Sequence, residues 1–311
     1  MAGRARQGKA MIILRHGNAL PILLALATAL IAPVRGSLAA DGEQRRELAV
    51  CADPNNLPFS NQKLEGFENK IATLVAKELH ASLRYSWNAE PRGFRPRSLQ
   101  TRACDVVLGV PTGLPEVSVT RPYYVSTYVF VTARSRRLDL RSLDDPRLGS
   151  LKIGLQAIGS GGANTPPANA LARRGLTDNI IGYSMWGESS ERNPQARIIE
   201  AVVEGEIDAA LVWGPLAGYF ARRYSDQLVL APVAPDPQMP SLPFSYDIAF
   251  GVRQGNDAFK AELQNVLDRK QQDIEAILID YGIPLVRATP TNSLQRRYES
   301  GESIALLKEE H

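Results

Sequence analysis

The sequence predicts a two-lobe α/β protein, with parallel-rich sheets, helices on both sheet faces and two strands joining the lobes. Three observations predict it. Short apolar runs rich in β-branched residues alternate with amphipathic stretches, which is the rhythm of parallel strands linked by crossover helices. That rhythm stops at one long extended segment, restarts, and ends at a second. The chain of 311 residues is also longer than a single core usually fills.

The chain opens with Arg4, Arg6, Lys9 and Arg15, then the apolar run ALPILLALATALIA (19–32), then Ser37-Leu38-Ala39. Basic, apolar, small is the order of a secretory signal peptide, so residues 1–39 are expected to be removed near Ala39. The apolar run is too short for the roughly 20 residues of a spanning helix. These 39 residues hold five of the 36 basic side chains and none of the 33 acidic ones, which leaves 31 against 33. The formal charge of +3 therefore belongs to the leader and gives no sign of a nucleic-acid partner.

After the leader, LAVCA (48–52) reads as a buried strand. GFENKIATLVAKELH places Ile71, Leu74, Val75 and Leu79 at helical spacing. SLRYSW (82–87) alternates like a strand, and CDVVLG (104–109) is a further β-branched run. Cys51 and Cys104 lie in two of these runs. An even count in an exported chain favours a disulfide, and adjacent parallel strands would bring the two together; the alternative is a pair of buried thiols. Past the extended STYVFVTA, the strands LKIGLQ (151–156), NIIGYS (179–184), DAALVW (208–213) and QLVLAP (227–232) follow. Between them PPANALARRG, NPQARIIEAVVEGE and PLAGYFARRY read as helices. YDIAFGVRQG (246–255) reads as a long return strand. Residues 257–282 read as one long helix with the apolar stripe Ala258, Leu263, Val266, Leu267, Ile274, Ile277, Leu278 and Tyr281. The expected organisation is lobe 1 over 40–131, lobe 2 over 132–244, a return strand and helix over 245–285, and a polar tail over 286–311.

Catalytic chemistry is missing from the sequence. The glycine cluster in GLQAIGSGGANTPPANALARRG has P-loop spacing at Gly154 and Gly159, but Ser160 stands where the lysine must be. The dinucleotide pattern puts Asn164 at its third glycine. After the leader only His80 and His311 remain, with no paired-histidine spacing and no G-x-S-x-G elbow. Glu68, Asp105 and Asp208 read as helix- and strand-end residues, and Asp53 either as a turn residue or as a ligand contact. The chain is expected to be no enzyme and to carry no cofactor and no metal. In open α/β sheets, ligands bind at the carboxyl ends of strands. Loop position and side-chain type then nominate Asn55, Phe59, Phe67, Arg92, Phe94 and Pro111 from lobe 1. Gln156, Ser160, Asn164, Thr165 and Trp213 are nominated from lobe 2. Arg92 and Arg95 either meet a carboxylate or form a solvated basic loop; Tyr123 and Tyr124 are either core or ligand-facing.

The strings CADPNNLPFSN, GFENKIA, RGFRPRSL, CDVVLGVPTG, TRPYYVSTYVFV, GANTPPANALARRG, EIDAALVWGPLAGYF and YDIAFGVRQG run from about residue 48 to 283. In outline their order resembles the type II periplasmic solute-binding proteins of ABC importers, above all the amino-acid receptors. In detail the strings resemble the quinoprotein-dehydrogenase-associated binding proteins, the "J" proteins that accompany periplasmic methanol dehydrogenases. The resemblance implies a periplasmic location, a cleft between two lobes, and a PQQ-dependent methanol dehydrogenase as partner. An ABC-importer receptor for a small non-amino-acid solute remains the alternative. Amino-acid receptors hold the substrate carboxylate with an Arg nine residues before the Pro of P-Y-Y, and the ammonium with an Asp five residues after the Asp of the D-A-x-x strand. Counting from Pro122 and Asp208 gives Gly113 and Trp213. A zwitterion there would leave both charges without counter-ions, at several kcal/mol each. The expected occupant is instead a small apolar or aromatic ligand, or a segment of the partner.

Overall fold

The computed structural model describes residues 46–88, 97–157, 164–184 and 193–286, which belong to one compact unit. The leader, Arg92, Arg95, Phe94, Ser160 and most of the tail lie outside the described residues. The first half contains β1 (Glu47–Ala52), the short hairpin β2 (Asn55–Asn56) and β3 (Ser60–Asn61), α1 (Phe67–Glu78), β4 (Ser82–Trp87), α2 (Arg97–Gln100), β5 (Val106–Pro111) and β6 (Ser118–Val119). Then β7 (Tyr124–Ala133) leads into β8 (Ile153–Ala157), α3 (Pro166–Arg173), β9 (Ile180–Ser184), α4 (Arg197–Val203), β10 (Ala209–Trp213), α5 (Gly214–Ala221) and β11 (Leu228–Pro232). The chain returns along β12 (Ser245–Val252) and ends in α6 (Asp257–Arg269) and α7 (Gln271–Asp280). Among the described residues no helix is long and apolar enough to cross a membrane.

The strand order is β4-β1-β5-β12-β7-β10-β8-β9, with β11 on β7 and β6 on β12. Each half is parallel where the sequence alternates strand and helix: β1 pairs with β4 and β5, and β8 pairs with β9 and β10. The two long strands are antiparallel and join the halves. Residues 124–127 of β7 pair with β12, while residues 128–133 pair with β10 and β11. The extended segments that bracket the second block in the sequence are thus the two strands of the connection.

Period-two alternation assigns each side chain to a face. In β1, Leu48 and Val50 pack under α1, α6 and α7, while Ala49 and Cys51 face the opposite core. In β7, Tyr128 and Phe130 face α3, while Val129 and Val131 face α4 and α5. In β5 the alternation is broken: Val106 and Leu108 lie on one face, Val107 and Val110 on the other. The register against β12 shifts there, and Gly109 carries a φ of +74°. One extra residue in β5 has turned the strand over, a bulge that only glycine enters cheaply. Cys51 and Cys104 form the disulfide, Cα atoms 5.4 Å apart, on the face of the first half away from α1. The long helix expected over 257–282 is in fact two. Lys270 turns the chain between α6 and α7 while its ammonium meets Glu78 of α1 at 3.2 Å and Asp273 at 3.3 Å. That turn lets Leu263, Val266 and Leu267 of one helix and Ile274 and Leu278 of the other reach the same core. Ala258, expected in the apolar stripe, is exposed.

Candidate functional site

Two contacts bring the carboxyl ends of strands from both halves together. Trp213, the last residue of β10, packs against the core under α1 as well as the core of the second half. The turn after β1 reaches the second half through Asn55, Asn56 and Leu57. The candidate site is therefore the junction between the halves, where the family resemblance places a cleft.

On the second-half side, the Trp213 backbone N–H donates to Gln156 Oε1 at 2.6 Å, which ties the end of β10 to the end of β8. Gln156 is buried, so this bond is shielded from competing water. The Trp213 ring meets Tyr128 and Tyr246 edge-on, with centroids 5.3 and 5.8 Å apart. Edge-on packing suits the opposite polarity of ring face and ring edge. Thr165 is buried at the start of α3, and Asn164 beside it is exposed.

On the first-half side, Gly113 follows β5 with a φ of +91°, and nothing stands within 4 Å of where a Cβ would be. There is room for a side chain, but the backbone strains any residue except glycine. An arginine installed here would have room but would strain the backbone, so Gly113 has a conformational reason to be glycine. Pro111 is half-buried opposite Ile248. The Asn55 N–H donates to Asp53 Oδ1 at 2.8 Å, which makes Asp53 a turn former; the Asn55 carbonyl accepts from Gln195 Nε2 at 3.1 Å. Phe59 is half-buried against Phe67, centroids 5.4 Å apart. Phe67 itself corrects the expectation: it is fully buried, edge-on to Tyr124 and Tyr281, and is core rather than cleft wall. As the first residue of α1 it points into the core beneath the helix. Tyr124 is core as well.

Sequence reasoning missed three residues. Gln195 is buried, and its Oε1 has no hydrogen-bond partner among the described residues. Leu57 is buried in the core of the second half. Glu68 is the third. Asp105 and Asp208 behave as strand-end residues: Asp105 Oδ2 accepts from the Ala49 N–H, and Asp208 accepts from the Lys152 N–H and pairs with Arg136. Among the described residues Glu68 has no such partner. Its carboxyl group is enclosed in the first turn of α1 over the β5 bulge, where a Cβ on Gly109 would run into it. Desolvation pushes its pKa up to about 8, so the group is largely neutral at pH 7. Burial also raises Tyr123 and Tyr124 well above the usual phenol value, with the Glu68 charge adding to both. The Tyr123 hydroxyl is buried beside the Gly109 backbone. None of these features was legible locally, because each depends on what the fold brings opposite. Among the described residues, no three His, Cys, Asp or Glu side chains gather as a metal-holding group. The junction offers aromatic surface and amides, which suits apolar contact with a few directed hydrogen bonds.

Comparison with known proteins agrees with this geometry. A family model described as bacterial extracellular solute-binding proteins, family 3, matches residues 48–281. Protein MoxJ of Methylorubrum extorquens is 32% identical over 251 residues, covering 77% of this chain and 81% of the relative. The crystal structure of the periplasmic binding protein XoxJ from Methylobacterium extorquens AM1 superposes with a TM-score of 0.63 at 35% identity, covering 78% of this chain and all of the other. MxaJ from Methlophaga aminisulfidivorans superposes with a TM-score of 0.66 at 25% identity, covering 77% of this chain and all of the other.

Proposed function

Because the chain belongs to the bacterial extracellular solute-binding proteins, family 3, we propose that it works in the periplasm as the accessory partner of a PQQ-dependent methanol dehydrogenase. It engages a segment of that enzyme, or a small apolar ligand, at the junction of its halves. The observation that carries the reading is Trp213. An aromatic wall built from Trp213, Tyr128 and Tyr246 replaces the ammonium anchor of an amino-acid receptor, and Gly113 leaves the carboxylate anchor without a side chain. A zwitterion would lose its hydration there for no counter-charge, whereas an aromatic or aliphatic group loses nothing by leaving water. The similarity to MoxJ, XoxJ and MxaJ supports the choice of partner.

Capture of the PQQ-free dehydrogenase by the immobilised chain tests the reading. Retention of the enzyme is expected, and Trp213→Ala should weaken it tenfold or more, as loss of a buried aromatic anchor commonly does. Circular dichroism checks that the variant is folded. Absence of capture, together with sub-micromolar binding of a small solute, would favour an import receptor instead.

A further inference from the structure

Three consecutive contacts in the turn after β1 go to different halves of the molecule. Phe59 packs into the core of the first half, against Phe67. Two residues earlier, Leu57 is 6% exposed and lies in the core of the second half with Val129, Ala196, Ile198 and Leu216. Between strand and leucine, the Asn55 carbonyl accepts from Gln195 Nε2 at 3.1 Å, with Asn56 Oδ1 a longer second acceptor at 3.5 Å. Gln195 sits in the 3-10 turn Pro194–Ala196 of the second half and is 2% exposed. The turn is held firmly at its own end too. The Ser60 hydroxyl bonds Asp53 O at 2.8 Å, and the Asn61 N–H donates to Asn69 Oδ1 in the first turn of α1 at 3.1 Å.

We propose that segment 55–59 is a built-in brace: with no ligand present, it holds the two halves at one fixed separation, so the junction is pre-set instead of being closed by its ligand. A two-strand connection alone resists bending weakly, and domain motion is the default where the contact between domains is small. Here an apolar plug and a shielded hydrogen bond, both outside the connecting strands, have to break before the halves can part. Gln195 Oε1, buried beside the brace and without a partner among the described residues, is the atom left for an incoming N–H donor. The inference concerns the chain alone and does not depend on which molecule enters the junction.

Pulsed electron-spin distance measurement between labels at Lys77→Cys and Arg173→Cys, exposed sites on α1 and α3, reads the separation directly in the ligand-free protein. One narrow distribution is expected for the otherwise unchanged chain. Gln195→Ala and Leu57→Ala should each broaden it or add a longer distance. Gln195→Ala removes the hydrogen bond from outside the apolar cluster that holds Leu57, so it reports even if Leu57→Ala folds poorly. Leu148→Ala, a cavity in the second-half core away from the brace, should leave the distribution narrow. A broad or two-component distribution before any brace substitution overturns the proposal. So does an unchanged distribution in both brace variants, or equal broadening by Leu148→Ala.

Discussion

Glu68 is an acid that gains nothing from its surroundings in the charged state. Among the described residues no cation, amide or hydroxyl pairs with its carboxyl, and desolvation over Gly109 raises its pKa to about 8. For an acid raised in the folded state, the native protein binds the proton more tightly than the unfolded chain does. Stability therefore falls as pH rises from the ordinary carboxylate range toward 8, and the full cost is present above that. Glu68→Gln keeps the shape and removes the charge. It should stabilise the protein at pH 8.5 by at least about 1 kcal/mol, with the gain vanishing near pH 4.5. Urea unfolding at the two pH values measures this; equal stability of both proteins at pH 8.5 would show that the carboxyl is solvated. Residue identity alone did not reveal the environment, because a glutamate in the first turn of a helix is ordinarily a favourable dipole partner.

At the scale of elements, the sequence made most strands legible. Wherever a run is buried on both faces or alternates, as in 82–87 and 209–213, pattern and structure coincide to within a residue or two. The pattern does not report what depends on a neighbour. The β5 bulge, the two-residue hairpin of β2 and β3, and the turn at Lys270 are responses to β12, to α1 and to Glu78. The anchoring of α3 is of the same kind. Arg174, just past its end, bonds both carboxylate oxygens of Asp236 at 2.8 Å and reaches Asp144 at 2.8 Å. The bond to Arg174 outweighs the burial of the Asp236 side chain and draws its pKa below the usual value. A depressed carboxylate adds stability that is fully present above its unfolded pKa near 3.8 and is lost as pH falls through the folded value. Arg174→Ala strands that charge and should cost about 2–3 kcal/mol at pH 7. The difference from the parent protein should shrink below pH 4. A constant difference across that range in denaturant titrations would contradict the ion-pair account.

For the whole molecule, the order of strands and the two crossing segments decide which side chains meet at the junction. Trp213 and Gln156, nominated from loop position and side-chain type, meet through a hydrogen bond. Phe67 was nominated on the same ground and belongs to the core, because its place at the start of α1 points it inward. Leu57 and Gln195 lie about 140 residues apart in the chain, in turns that no local pattern marks, and only the folded strand order brings both to one junction. The account turns on one claim: this junction has exchanged the counter-charges of an amino-acid receptor for aromatic surface. Calorimetric titration of the purified protein with each of the twenty amino acids tests it most directly. The account predicts no saturable heat at millimolar ligand, and a dissociation constant near 1 μM for any of them, about −8 kcal/mol of binding, would contradict it.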